Sequence, residues 1–502
     1  MPRDTTQPPS ASAVVIGGGL GGMAAALRLR ARGYAVRLID RCPRLGGRAQ
    51  VYDRDGFRFD AGPTLLTAPH LLEELFGLFG RRLRDHVTLV QPDPWYRFAF
   101  ADGETMDYGP TLDRTLEEIA RLSPGDVRGF RDLLDHSRAI HDAAFTDLSH
   151  APFHAPAAML RQLPDMLRLR SYRTVWQMVS GHLQDDRLRR AFSIQPLLIG
   201  GNPYQTTSLY GLITHLEHAH GIWFAMGGTG ALVEALARLM AEEGVEIETG
   251  TTVERVLIEG GRAAGVEVEG GRRIAADIVV SNVDPVHLYR EMLPPGTPSP
   301  LARARVRTGS LSMGVFVLHF GTRRVYEDVA HHTIVFGDSH RRMLDDVFRK
   351  GVLGADPSVY LHRPTATDPS LAPPGCDGFY ALCPVPNLGA GHDWSVEGPR
   401  LRDRIVSMLE RRLLPLLSRN ICAEFAKTPE DFAEDYLSVQ GAGFSLSPVF
   451  RQSAFFRFHN RGEGVPGLFL VGAGTHPGAG VPGVISSAKV LDRLVPAPAQ
   501  AA

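Results

Sequence analysis

The glycine-rich stretch Gly17-Gly18-Gly19-Leu20-Gly21-Gly22 constrains this chain more than any other. It has G-x-G-x-x-G spacing and stands between a β-branched run, Ala13-Val-Val-Ile-Gly17, and a segment in which Leu20, Met23, Ala24, Leu27 and Ala31 recur at helical spacing. Gly33 stops that helix and Ala35-Val-Arg-Leu-Ile-Asp40 follows as a second strand, so residues 13–40 read as one βαβ unit with parallel strands. In such a turn Gly17 permits the sharp reversal, Gly19 lets backbone approach a pyrophosphate, and Gly22 lets the helix pack close to the strand. The helix N-terminus adds free N–H groups and the positive end of its dipole. Asp40 closes the second strand about 20 residues on, where a carboxylate accepts from ribose hydroxyls and disfavours a 2′-phosphate. The unit points to an α/β fold with a Rossmann-like, dinucleotide-binding domain.

The remaining composition excludes several classes. Lys plus Arg total 54 against 55 for Asp plus Glu, a net charge of −1, so no global basic field draws the chain to nucleic acid. No apolar run reaches the roughly 18 residues of a spanning helix. The four cysteines (Cys42, Cys376, Cys383, Cys422) form no C-x-x-C pair, which argues against a disulfide framework or zinc ribbon and for a reducing, cytoplasmic setting. Residues 1–11 lack an apolar core and read as a disordered leader, and 496–502 as a disordered tail. With 502 residues there is material for about three domains.

Along the chain, residues 70–82 and 112–147 carry helical periodicity, and 154–195 is rich in Met, Leu, Arg and aromatics, giving a mostly helical region. From Thr251 short apolar runs joined by Gly260-Gly261 and Gly270-Gly271 predict a β-meander, with Asp277-Ile-Val-Val-Ser281 as a return strand. Leu311–Phe320 is a further strand candidate, 355–395 is irregular with strand pieces, and Gly467–Val471 is a last buried strand before a helix at Val484–Leu494. His215, His218 and His220 lie on one segment that scans as an apolar helix face, so no metal site is expected there. No G-x-S-x-G, Walker A or H-E-x-x-H sequence occurs.

Two further stretches carry a resemblance. Leu45-Gly46-Gly47-Arg48-Ala49, just past Asp40, resembles the extended FAD fingerprint of amine-oxidase-like flavoproteins. Val471-Gly-Ala-Gly474-Thr-His476-Pro-Gly478-Ala-Gly480-Val-Pro482-Gly483-Val484 resembles the hallmark of the bacterial-type carotenoid desaturases. Gln195–Pro203, Trp223–Leu232, His331-His-Thr and Ser453–Arg461 extend that likeness over nearly the whole chain from Ala13 to Leu494. The resemblance implies FAD contacts at Gly17, Gly19, Gly22, Asp40, Arg41, Gly47 and Arg48. It implies others at Gly62 and Pro63 beside the flavin ring, Val253 against the adenine, and Gly474, Val481, Pro482 and Gly483 in the last turn. It divides the chain into FAD-binding segments at 12–95, 226–300 and 451–495, a helical substrate- and membrane-associating region at 96–225, and a substrate-binding domain at 301–450.

By the same resemblance the expected reaction is FAD-dependent removal of hydrogens from adjacent methylene carbons of a linear polyene, phytoene first. Quinone or oxygen is the expected electron acceptor, because no second dinucleotide domain is evident. Met159, Leu160, Leu163, Met166 and Leu167, flanked by Arg161, Arg168, Arg170 and Arg173 with Tyr172 and Trp176 beyond, form a basic amphipathic stretch suited to lying on a bilayer, which Pro164 is expected to kink or split. His476 and Arg161 are the candidates to tune the flavin or move a proton. Two rivals share related scaffolds: a carotenoid isomerase, which yields a product of unchanged mass, and an escort protein for prenylated GTPases, which needs no intact flavin site.

Overall fold

The strand Ser12–Ile16 sorts two cores by its alternation. Ala13 and Val15 turn to one side, among Met23, Leu27 and Leu236 of helices Leu20–Ala31 and Thr229–Glu242. Val14 and Ile16 turn to the other, among Val256, Val266 and Val268. Four strands join Ser12–Ile16 in a five-stranded sheet ordered Leu468–Leu470, Ile278–Ser281, Ser12–Ile16, Ala35–Asp40, Glu246–Thr249, and every pairing is parallel. One face is covered by helices, including Val481–Lys489, and the other by the antiparallel meander Val253–Glu259, Arg262–Val268 and Arg273–Ala275. Both faces being covered explains why the strands read as near-continuous apolar runs. The computed structural model describes residues 11–143, 151–154 and 156–498, with backbone alone at 156–161.

A seven-stranded mixed sheet forms the second layer. Its order is Ile421–Lys427, Gly314–Thr322, Asp377–Val385, Val359–His362, His332–Val335, Tyr96–Ala99, Thr105–Tyr108, antiparallel except where His332–Val335 meets Tyr96–Ala99. Helices Leu112–Leu122, Asp126–His141, Val175–Ser180 and Asp186–Phe192 pack with part of this sheet around Phe98, Phe130, Phe192 and Ile334. The region expected to be mostly helical from 96 onward therefore opens with two strands that extend this sheet.

Local expectations shift at four places. The last helix starts at Val481, not Val484, because Gly480 (φ +94°) caps it and Pro482 fits its first turn, and it breaks at Val490 before a short helix Leu491–Leu494. Helix Pro156–Arg168 runs through Pro164 without splitting. The expected tails are shorter: the Ala11 carbonyl accepts from the Ala35 N–H, and the Pro496 carbonyl accepts from Arg32 and Tyr34. Residues 1–10 and 499–502 lie outside the description. The stretch 355–395, expected to be irregular with strand pieces, holds two strands, Val359–His362 and the nine-residue Asp377–Val385, which is longer than a piece.

Candidate active site

The first turn is built by contact of main chain with main chain. Gly17 has φ +93°, and a Cβ on Gly22 would lie 1.9 Å from the Gly17 carbonyl oxygen, so only glycine lets the helix start there. Asn282, just past strand Ile278–Ser281, donates its Nδ2 to that carbonyl at 3.3 Å and stands 3.0 Å from where a Gly19 Cβ would sit. The Asp40 carboxylate accepts the N–H groups of Gly18 and Cys42, the latter at 2.7 Å. Burial pushes its carboxyl above the usual range, and those N–H groups oppose the shift. Asp40 thus fixes the glycine turn as well as facing the cavity expected to hold a ribose.

Gly47 lies against this turn, its Cβ position 3.3 Å from Gly19 Cα, and a Cβ on Gly62 would strike the Arg48 carbonyl at 2.2 Å. Arg48 is half-buried in the cavity wall. Its guanidinium donates to Ser438 Oγ and stands 5.8 Å from the Tyr436 ring centroid, while its Nε meets no partner. Burial lowers its pKa, and the Asp284 carboxylate offsets the shift. Two helix N-termini, at Leu20 and Val481, open into the same cavity, where their positive ends favour negative charge.

That cavity, about 550 Å³, runs from the glycine turns into an apolar lobe walled by Ile140, Phe153, Leu197, Leu209, Leu382 and Phe444. Gly17, Gly19, Asp40, Arg41, Gly47, Arg48, Gly62, Pro63, Val253, Val481, Pro482 and Gly483 all line it. Gly22 and Gly474 do not, and their role is packing: a Cβ on Gly474 would meet Pro285 Cδ at 2.2 Å. Arg41 is tethered to the Glu434 carbonyl. His476 lines the wall, its ring stacked on Phe153 with centroids 5.4 Å apart, its N–H donating to Phe458 and its carbonyl accepting from Asn460. The Arg161 side chain lies outside the description, as do those of Met159 and Leu160.

His218 turns away from the other two and packs between Trp95 and Tyr108, whereas His215 and His220 both stand beside His141, at ring-centroid distances of 5.0 and 6.4 Å. His215 groups with His141 and Asp142, their ligand atoms within 4.8 Å of one another, and His220 also packs against His70.

Of the polar groups that sequence reasoning missed, Thr64, Glu217, Tyr360 and Tyr380 line the lobe, and His332 and Asp60 stand outside its lining. Thr64 Oγ1 bonds the hydroxyls of Tyr360 at 2.8 Å and Tyr380 at 2.9 Å, and Tyr360 Oη bonds His332 Nδ1 at 2.7 Å. Buried Asp60, 4.0 Å from His362 Nε2, takes the N–H groups of Thr229 and Gly230 at a helix N-terminus, yet burial raises its pKa to about 6. Glu217 is buried beneath the hydroxyls of Tyr96 (3.2 Å) and Tyr108 (3.4 Å), and burial raises it to about 8. Among these side chains only His332 falls in a stretch that carries the family resemblance, His331-His-Thr.

The glycine cradle, the acid at the second strand's end and the continuation past it through Gly47, Arg48, Gly62 and Pro63 fit an extended dinucleotide such as FAD. Comparison with known proteins agrees. The model of the family "Flavin containing amine oxidoreductase" matches residues 20–490. A lycopene-forming phytoene desaturase of Pantoea ananas is 43% identical over 482 residues, covering 96% of this chain and 98% of that protein. A neurosporene-forming phytoene desaturase of Rhodobacter capsulatus is also 43% identical, covering 96% and 94%. Among solved structures, a putrescine oxidase shares the fold with a TM-score of 0.64 at 16% identity, covering 97% of this chain and 99% of its own. A dinucleotide cradle opening into an apolar lobe, together with full-length likeness to these relatives, shows that the chain belongs to the phytoene desaturases within the flavin-containing amine oxidoreductases, enzymes that depend on FAD.

Proposed function

We propose that the protein desaturates phytoene in successive steps, to products of the neurosporene and lycopene type. The observation that carries this reading is the continuity of one cavity from the glycine cradle to the apolar lobe, which lets a polyene carbon meet the ring end of a dinucleotide. FAD held there supplies a two-electron hydride acceptor. The residues proposed to hold it are Gly17, Gly19, Asp40, Arg41, Gly47, Arg48, Gly62, Pro63, Val253, Val481, Pro482 and Gly483, with Gly22 and Gly474 keeping the main chain in place.

The apolar walls do the rest by orientation. A hydrocarbon has no polar handle, so alignment rests on burial, worth about 0.8 kcal/mol for each CH₂ removed from water, and on exclusion of water from the reacting carbons. His476, stacked on Phe153 beside the last glycine turn, is proposed to shape this wall. Its replacement by Ala is expected to lower kcat several-fold with FAD content unchanged, and unchanged turnover removes it from the site.

Entry from a membrane surface is part of this proposal. No helix among the described residues is long and apolar enough to cross a bilayer. Helix Pro156–Arg168 presents Gln162, Asp165 and Met166 to the cavity and exposes Leu163 (45%) and Leu167 (59%), with Tyr172 exposed beyond it. Met166 therefore belongs to the cavity face and not to the outer face that the periodicity suggested. Trp176 is half-buried against Tyr204. The outer leucines beside exposed Arg168 and Arg170 support peripheral docking that delivers substrate straight to the lobe. Quinone or oxygen is the proposed acceptor.

The test is incubation of purified, FAD-loaded protein with phytoene in liposomes, followed by product mass and absorbance. Loss of hydrogen pairs with new visible bands is the expected result. A product of unchanged mass assigns the isomerase reaction instead.

A further inference from the structure

We propose that Tyr360, His332 and Asp60 form the route by which the proton released in each desaturation leaves the cavity, a reading that rests on the desaturase function proposed above. Hydride loss leaves a cationic carbon whose neighbour must then lose a proton, and a hydrocarbon-lined lobe offers little to take it. The edge of this lobe does. Tyr360, Tyr380 and Thr64 all line the cavity and share one hydroxyl network, and from Tyr360 Oη the hydrogen bond to His332 Nδ1 leads away from the cavity into buried protein.

Behind Tyr360 stands a chain of groups with bonding capacity to spare. His332 Nε2, His331 Nε2 and both ring nitrogens of His362 are buried without a hydrogen-bond partner, although His331 and His332 each use Nδ1, on Thr367 and Tyr360. One nitrogen from each of the three rings lies within 4.8 Å of the others, a span that one hydrogen-bonded water crosses. The His332 and His362 rings stack with centroids 5.3 Å apart, and His362 Nε2 faces Asp60 Oδ2, itself unpartnered, at 4.0 Å. The His331 carbonyl lies near His362, outside hydrogen-bonding geometry.

The step balances. The C–H bond beside the cationic carbon breaks, its electron pair becomes the new C=C π bond, and its proton goes to Tyr360 Oη as that oxygen's own proton passes to His332 Nδ1. The proton on His332 Nε2 moves to Nδ1 of His362 as the proton on His362 Nε2 crosses the 4.0 Å to Asp60 Oδ2 through a bridging water, and Asp60 ends as a neutral carboxyl. Burial holds His332 and His362 well below the usual imidazole range, so they pass a proton on without keeping it. Asp60, raised to about 6, keeps it briefly and gives it up again at neutral pH. The groups facing Asp60 are Arg58, His319, His362, Tyr360, Tyr380 and the helix N-terminus at Thr229.

The test is single-turnover infrared difference spectroscopy on the FAD-loaded protein with phytoene in phosphatidylcholine vesicles under argon. The expected result at neutral pH is a transient carboxyl C=O band that rises as product forms, decays afterwards and is absent in Asp60→Asn. In Tyr360→Phe and His332→Gln, the band and product are slowed together, with kcat down about 100-fold or more and KM and FAD content unchanged. The wild-type kcat is expected to fall as pH drops through about 6, where Asp60 is already protonated. Product formation without a carboxyl band in the wild type overturns the route. So do wild-type rates in both variants, and so does one divalent metal ion per chain in the purified protein, since the metal would occupy the imidazole lone pairs. A wild type that bleaches no flavin and makes no desaturated product overturns the desaturase reading itself.

Discussion

The two ends of the cavity are built in opposite ways. The dinucleotide end is made of main chain: Gly22 against the Gly17 carbonyl, Gly62 against the Arg48 carbonyl, Gly483 against the Gly478 carbonyl. The lobe is made of side chains from elements far apart in sequence, with Thr64, Glu217, Tyr360 and Tyr380 brought together by a loop, a helix and two neighbouring strands of the seven-stranded sheet. A backbone cradle tolerates no side-chain growth, whereas a side-chain wall can change composition and keep its form. Changes at the first end should therefore abolish cofactor binding, and changes at the second should retune the reaction with cofactor retained.

The sharpest break of this contrast is Gly22→Val. Its Cβ would lie 1.9 Å from the Gly17 carbonyl, so the variant is expected to purify without flavin absorbance and with a lowered Tm. Retained yellow colour at normal stoichiometry would contradict the backbone account. Glu217→Gln sharpens the other side. Its carboxyl is raised by burial from 4.5 to about 8, so the stability it contributes is fully present below about pH 4.5 and is lost as pH rises through 8. That loss is on the order of 5 kcal/mol at full extent. Glutamine, neutral throughout, removes this dependence, and urea midpoints at pH 6 and pH 9 should converge in the variant while those of the wild type separate.

Phe444→Ala enlarges the lobe without touching the cradle, and is expected to lower kcat/KM for phytoene about tenfold, with FAD content unchanged, through lost alignment. The smallest effect belongs to the outer face. Leu163→Glu with Leu167→Glu replaces two exposed leucines, and vesicle cosedimentation should fall about tenfold, with turnover on detergent-dispersed phytoene preserved. Unchanged cosedimentation would detach this helix from the membrane.

The same contrast explains what the sequence revealed. A main-chain cradle needs glycine at fixed local spacing, so Gly17, Gly19, Gly22 and the turn before Val481 stood out, as did the βαβ unit and the meander whose strands follow one another closely. The polar cluster left no such mark. Asp60, His332 and Tyr360 each sit in an ordinary strand pattern, and only the pairing of Val359–His362 with its neighbours brings Tyr360 beside His332 and Tyr380. Glu217 hid among three histidines on one helix, and its burial under Tyr96 and Tyr108 depends on strands more than 100 residues away. The sequence pattern also put Met166 on the outer face, because periodicity identifies an apolar stripe but not which of two apolar environments it meets.

The central claim is that cofactor and polyene meet in one continuous cavity. It is tested most directly by anaerobic titration of the FAD-loaded protein with phytoene vesicles, counting flavin bleached against hydrogen pairs lost from the product. The account predicts one flavin bleached for each hydrogen pair removed. Product formed while the flavin spectrum stays unchanged, or bleaching with a product of unaltered mass, would contradict it.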